Sequence, residues 1–334
     1  MAITRKRRST GKVTIADVAQ LAGVGTMTVS RALRTPEQVS DKLREKIEAA
    51  VNELGYMPNL TASALASASS HTIAMVVPNL AEAGCTEMFA GLQHVLQPAG
   101  YQIILAESRH RLEQEEKLLE TLLASNIAAA ILLSVEHNST VRHLLKNASI
   151  PVIEIGAIRT DPIDINIGID NVAAMFELTD MLVQRGYQNI GLLCANQEQW
   201  IFQQHLQGWY KAMLRHHMSP NRVINAALPP VFSTGASQLP EFLLAWPELD
   251  ALVCVSDELA CGVLYECQRR RIKVPDELAV VGFGDSDVSK VCQPSLTTMA
   301  VPHRKIGLEA GNVLLERIKE GNWSNQIFIE PCLC

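Results

Sequence analysis

From His71 onward the chain alternates short apolar runs with amphipathic stretches, and that rhythm narrows the possible folds more than any other feature. Strand-like runs occupy Thr72 to Val77, Gln102 to Leu105, Ala128 to Leu133, Val152 to Ile155, Asn189 to Cys194, Val223 to Ala226, Ala251 to Val255 and Leu278 to Phe283. Helical patterns intervene, such as Leu112 to Ala124, Asn171 to Gln184 and Glu258 to Arg271. Strands separated by helices imply an α/β protein with parallel sheets and right-handed crossovers. A length of 334 residues allows two or three compact units, and 48% hydrophobic residues suffice to fill their cores.

The segment before this rhythm has another character. Gly23 to Arg34 reads as the second helix of a helix-turn-helix, its tight link supplied by Gly23 and Gly25. On a helical wheel Met27, Ser30, Arg31 and Arg34 share one face, while Val29, Ala32 and Leu33 form another. The preceding helix opens at Thr14 to Asp17, a capping-box pattern, and carries Ile15, Val18, Ala19 and Leu21 as an apolar stripe. A third helix is expected from Asp41 to about Leu54, with Leu43, Ile47, Ala50 and Val51 inward and Gly55 closing it. Read in isolation, the alternative is a pair of amphipathic surface helices of some larger helical domain. Charge argues for more: residues 1–58 hold ten Lys or Arg against six Asp or Glu, a net of +4, so a total of −6 leaves −10 on the rest. A basic head on an acidic body suits a module that approaches phosphates while its partner domain does not.

The run VTIADVAQLAGVGTMTVSRALRTPEQVSDKLREKIEAAVNELGYMPNLTASALAS resembles the DNA-binding head of the LacI/GalR family of bacterial repressors, and the similarity continues along the chain. MTVSRALRTPEQVS and ECQRRRIKVPDELAVVGFG are most similar to the family's repressors of gluconate and related sugar-acid operons. The resemblance implies a head over residues 12–58, a hinge over 59–70 and a two-lobed, periplasmic-binding-protein-like body over 71–334. Lobe 1 would take about 71–167 and 299–321, and lobe 2 about 168–298 and 322–334, with crossovers near Gly168, Met299 and Asn322. It further implies a homodimer on a palindromic double-stranded operator, controlled by a small molecule bound between the lobes at the carboxyl ends of strands.

On that reading Thr14, Thr26, Met27, Thr28, Ser30, Arg31, Arg34 and Asn59 meet DNA, and Leu65 wedges a minor-groove base step. Without the resemblance, Leu60 to Ser70 is equally a plain linker rich in Ala and Ser. For the effector, Ser256 and Asp257 match the family's polar-acidic pair, Asp257 reading otherwise as a helix cap. His205 stands where relatives often carry Arg or Lys and so fits an anionic ligand, the other reading being a structural histidine. Gly284 replaces an acid common in neutral-sugar binders. Asn79, Glu154 and Asp170 are further candidates, each alternatively a cap or a solvated loop residue.

Other classes fit less well. Gly282-Phe283-Gly284 lacks the third glycine of a dinucleotide fingerprint, and GxSxG, HExxH and GxxxxGK are all missing, so no enzyme, cofactor or metal site is expected. Eight cysteines, several inside apolar runs (Cys194, Cys254, Cys261) and without CxxC spacing, read as buried free thiols, the alternatives being zinc ligands or disulfides. The basic Thr4 to Arg8 is followed by no apolar core of a signal peptide, and the longest apolar run is too short for a bilayer, which together predict a cytoplasmic protein. The competing function is a cytoplasmic sugar-binding or sugar-processing protein whose basic head is incidental.

Overall fold

The computed structural model describes residues 13–57, 70–82, 84–195, 200–320 and 326–334. Contacts divide the chain at Ser70 and His71 into two units. The first holds α1 (Ile15–Ala22), α2 (Thr26–Arg34), a 3-10 turn (Pro36–Gln38) and α3 (Asp41–Leu54). Its core is Val18, Ala19, Ala22, Val29, Ala32, Ile47 and Ala50, with Ile15, Leu33, Leu43 and Val51 packed around them. Leu21 departs from the expected stripe: it is 44% exposed, and Ala22 is buried in its place. Residues 15, 18, 19 and 22 follow the 3.6-residue period, whereas 21 falls on the flank.

The capping box of α1 is present as expected. The Asp17 carboxylate accepts the Thr14 amide proton at 2.8 Å and also takes the Thr14 hydroxyl proton, at 2.7 Å. Both bonds favour the ionised acid, the hydroxyl's most, and hold the Asp17 pKa below its usual value.

The second unit contains two six-stranded sheets. The first, in order β11-β5-β4-β3-β1-β2, is wholly parallel: β1 (Thr72–Val77), β2 (Gln102–Glu107), β3 (Ala129–Leu132), β4 (Val152–Ala157), β5 (Ile165–Ile169) and β11 (Gln326–Phe328). The second runs β12-β10-β9-β8-β6-β7: β6 (Ile190–Ala195), β7 (Val223–Ala226), β8 (Ala251–Cys254), β9 (Ala279–Gly284), β10 (Thr297–Ala300) and β12 (Cys332–Leu333). Its one antiparallel pair is β10 with β12. Helices α4 (Cys85–Leu96), α5 (Leu112–Ala124), α6 (Ser139–Asn147), α7 (Asn171–Gln184), α8 (Trp200–Arg215), α9 (Phe232–Ala245), α10 (Asp257–Arg270), α11 (Asp287–Val291) and α12 (His303–Glu320) supply the connections and cover both faces of each sheet. The strands therefore read as continuous apolar runs rather than as alternation.

The chain leaves the first sheet after Ile169, returns to that lobe after Ala300, and crosses finally between Phe328 and Cys332. This last crossing comes later than the expected Asn322, because β11 still pairs with β5, Gln326 opposite Asn166. Where the returning α12 meets α4, backbones approach too closely for side chains. A Cβ on Gly307 would lie 2.1 Å from the Met88 carbonyl oxygen, and one on Gly91 2.4 Å from that of Arg304.

Since those obstacles are backbone atoms, relief requires the helices to separate. Gly307→Ala is expected to destabilise the body by about 1–3 kcal/mol, the usual cost of overpacking. Denaturant unfolding followed by circular dichroism measures it, and an unchanged midpoint would contradict the close crossing.

Candidate functional site

In the first unit, α2 turns part of the expected outward face to solvent. Val29 and Ala32 are buried, Thr28, Ser30 and Leu33 are half-buried, and Thr26, Met27 and Arg31 are exposed. Met27 is 76% exposed. Arg31 has no ion-pair partner among the described residues, whereas Arg44 on α3 is engaged by Asp41 at 3.0 Å and Glu48 at 3.7 Å. Thr14 is exposed at the start of α1. Asn59, Leu65 and the side chain of Arg34 lie outside the described residues.

In the second unit, the carboxyl ends of the strands of both sheets converge on a cavity of about 260 Å³. Its walls come from segments just after strands: Pro78 after β1, Leu133 to Glu136 after β3, Asn171 after β5, Val255 and Ser256 after β8, Gly284 at the end of β9 and Val301 after β10. Trp200, Ile201 and His205 of α8 and His303 of α12 complete it. The two lobes touch directly here, where the Glu136 carboxylate accepts the Trp200 amide proton at 3.0 Å. Gly84, at φ +82°, yields its side-chain space to the His303 ring, which a Cβ would meet at 2.3 Å.

Of the six effector candidates, the structure brings His205 and Ser256 to this cavity. Ser256 also caps α10 by accepting the Leu259 amide proton at 3.3 Å. Asp257, beside it, is wholly buried and turned behind the wall, where it accepts the Thr298 hydroxyl and the Ser286 amide protons, each at 2.6 Å. Neither expected role for Asp257 describes this: it ties β10 to the loop after β9. Asn79 accepts the Ala81 amide proton at 2.9 Å, and Asp170 caps α7 by accepting from Ala173 at 3.0 Å. Neither lines the cavity, although Asn171, the neighbour of Asp170, does.

Glu154 points to the opposite face of the first sheet, with Val152, toward α5 and α6. There it accepts the Ile163 amide proton at 2.6 Å and faces His137 Nε2 at 3.4 Å. His137 Nδ1 meets Glu115 at 2.9 Å, and the imidazole is wholly buried. Burial pulls the His137 pKa down, but hydrogen bonds and charge from Glu115 and Glu154 outweigh it and lift the value to about 9. This triad supports the cavity-lining loop from behind.

The remaining histidines differ in state. His110 pairs with Glu82, a bond that raises its pKa against the effect of burial. His205, 5% exposed and lying against Phe283 at 4.6 Å between ring centroids, is lowered to about 4 by desolvation. His303 is likewise lowered to about 4, by desolvation that Glu87 only partly opposes. His205 Nε2 and His303 Nδ1 are buried without hydrogen-bond partners among the described residues. Desolvation thus favours the neutral form of His205. Glu82, His110, Glu136, Asn171, Trp200 and His303 were not identified from the sequence. Their only signal is position, since most fall within a few residues of a strand's carboxyl end.

The model of the bacterial regulatory proteins of the lacI family matches residues 14–59, and that of a periplasmic binding protein-like domain matches residues 179–334. The chain is 36% identical to the HTH-type transcriptional regulator GntR of Escherichia coli K12, over 91% of each chain. It is 29% identical to the HTH-type transcriptional regulator IdnR of the same strain, over 93% of each. Among solved structures, a LacI family transcriptional regulator from Silicibacter pomeroyi superposes with a TM-score of 0.90 at 28% identity, covering 96% of this chain and 98% of that one. The transcription regulator GntR from Chromobacterium violaceum gives 0.75 at 29%, covering 79% and 97%.

The histidines set the pH range of stability. His205 and His303, depressed from 6.5 to about 4, contribute fully above pH 6.5 and lose their contribution as pH falls toward 4. His137, raised from 6.5 to about 9, contributes fully below pH 6.5 and loses it as pH rises through 9. Denaturant midpoints at pH 5, 6.5 and 9 are expected to peak at the middle value. A midpoint that rises steadily from 6.5 to 9 would contradict the charge state assigned to His137.

Proposed function

The chain belongs to the lacI family of bacterial regulatory proteins, and on that premise we propose how its two units divide the work of an effector-controlled transcriptional repressor. The observation that carries the DNA half is the outward face of α2, an exposed Met27 beside an Arg31 free of ion pairs among the described residues. Arg31 reads a guanine edge in the major groove, Thr28 and Ser30 hold phosphates, and Thr14 and Thr26 fix the ends of the two helices against the backbone. Arg34, Asn59 and Leu65 keep the roles given by the family resemblance. Two heads of a homodimer meet the two halves of a palindromic operator. The protein acts in the cytoplasm and catalyses no reaction; among the described residues no helix is long and apolar enough to cross a membrane.

The effector is a sugar acid such as gluconate, held in the cavity at the carboxyl ends of the strands. Ser256, Asn171 and Glu136 offer hydrogen bonds to its hydroxyls. Among the described residues no Arg or Lys lines the cavity, so the carboxylate is matched by a proton taken up on binding. Two buried imidazoles offer a partnerless nitrogen there, His205 Nε2 and His303 Nδ1, each lowered to about 4; an adjacent anion raises either pKa, and we assign the proton to His205, so that uptake persisting in His205→Gln would place it on His303. Closure of the lobes on this ligand shifts the population of DNA-binding states.

Arg31→Ala is expected to relax sequence preference by about 1–3 kcal/mol, while Thr28→Ala and Ser30→Ala weaken binding without changing preference. Competition between a palindromic operator and random duplex measures both effects. Wild-type affinity must fall steeply as salt rises, since phosphate contacts release counterions; salt-independent binding would remove the repressor reading.

Gluconate affinity is expected to fall by up to tenfold per pH unit above about pH 4 and to level off at the pKa of His205 in the complex. Calorimetry in buffers of different ionisation enthalpy should read about one proton taken up per ligand, and none in His205→Gln. Tighter binding of a neutral hexose, or no proton uptake by wild type, would overturn the ligand assignment and leave the DNA assignment standing.

A further inference from the structure

Six of the eight cysteines are buried, and the two exposed ones stand at the start of β12 and just after its end. Leu333 packs against the core of the body, so its neighbours Cys332 and Cys334 both project from the opposite face of the strand. Their sulfurs are 3.9 Å apart. The backbone beneath them is fixed by the ladder to β10: Ala300 lies opposite Cys332, and Thr298 and Cys334 exchange amide-to-carbonyl bonds, each 2.9 Å long. Two thiols on a paired strand are therefore held at a set separation before any ligand arrives.

The two thiols converge closely enough to hydrogen-bond to each other. A pyramidal trivalent arsenic centre holds its two sulfurs somewhat closer than this, a difference that rotation about the cysteine χ1 angles closes. A direct bond between them would require about 2.05 Å, and residues two apart on an extended strand have Cα atoms about 6.6 Å apart, near the upper limit for a disulfide. The Cys334 thiol is also held above its ordinary pKa, by partial burial, by the hydrogen bond and proximity of Cys332, and by Asp285 against Lys290. It stays protonated at neutral pH, which slows reactions that need a thiolate.

We propose that Cys332 and Cys334 form a dithiol chelate site for monosubstituted trivalent arsenicals, which demand two thiols at one centre. In the step, an arsenous acid R–As(OH)₂ exchanges both hydroxyls. Two As–O and two S–H bonds break, two As–S bonds form, and two waters leave; arsenic stays trivalent and no electrons are transferred. The site is separate from the effector cavity and does not depend on the ligand assigned there.

The test is intact-mass spectrometry of the full chain with equimolar phenylarsine oxide in excess 2-mercaptoethanol, a monothiol that strips singly held arsenic. Wild type is expected to retain one phenylarsenic group, released by 2,3-dimercaptopropanol. Cys332→Ser and Cys334→Ser should each lower retained occupancy more than tenfold, while Cys261→Ser, removing a buried thiol, leaves it unchanged. Retention by either single variant of β12, loss in Cys261→Ser, or no retention by wild type would overturn the proposal. Both β12 substitutions are at exposed positions, so folding does not decide the result.

Discussion

Parallel strands cannot be joined by a tight turn, and the architecture of the body follows from that restriction. Most returns to a sheet take a helix across one face, and all strands but the antiparallel β12 deliver their carboxyl ends to the same rim. Two such rims face each other, and the loops that leave them are free of the sheet ladders. Polar groups can be placed there without breaking a ladder. The cavity collects Ser256, Asn171 and Glu136 for this reason, while strand interiors remain almost wholly apolar.

The exceptions inside the sheets show how costly that rule is to break. Glu154 and Asn166 both sit on strands with no solvent exposure; Asn166 is fully partnered, and Glu154 takes one amide proton and faces an imidazole with its other oxygen. Asn166 donates to the carbonyls of Glu154 and Ala157 and accepts from the Arg159 amide; Glu154 takes the Ile163 amide and faces His137. Buried polar groups left unpaired would cost more than their bonds gain, so these networks fix the geometry of the loops they hold. Asp257 does the same in the second lobe. Its two oxygens are spent on Thr298 and Ser286, which sets where the loop after β9 enters the cavity wall.

Much of the fold was legible because burial on both faces makes a strand a continuous apolar run: Thr72 to Val77 agrees residue for residue with β1. The edge strand β7, Val223 to Ala226, agrees as well although it is only partly buried. The strands not expected are those whose residues do not look like core. β10 is half threonine, β5 carries Asn166 and Gly168, and β11 and β12 are three and two residues long. In the head, helical period alone placed all but Leu21. The site was less legible, because a side chain one position along a strand or at a helix cap points elsewhere. Asp170 and Asn171 are adjacent and similar in chemistry, yet the first caps α7 and the second meets the cavity. Nothing local to His205 announces that its ring is desolvated; that depends on Phe283, which is remote in sequence.

The late crossing of the chain bears on how the protein is made. β5 is finished by Ile169, but its outer edge receives its partner only when Gln326 to Phe328 has been synthesised, and α12, which covers α4, arrives scarcely sooner. The first lobe therefore spends most of its time on the ribosome with one unpaired parallel edge and one bare helix surface, while the whole of the second sheet's parallel set is laid down beyond it. An open edge beside exposed apolar side chains is a template for pairing with another chain. During synthesis, then, the vulnerable surface of this protein is a strand that in the finished molecule lies fully enclosed.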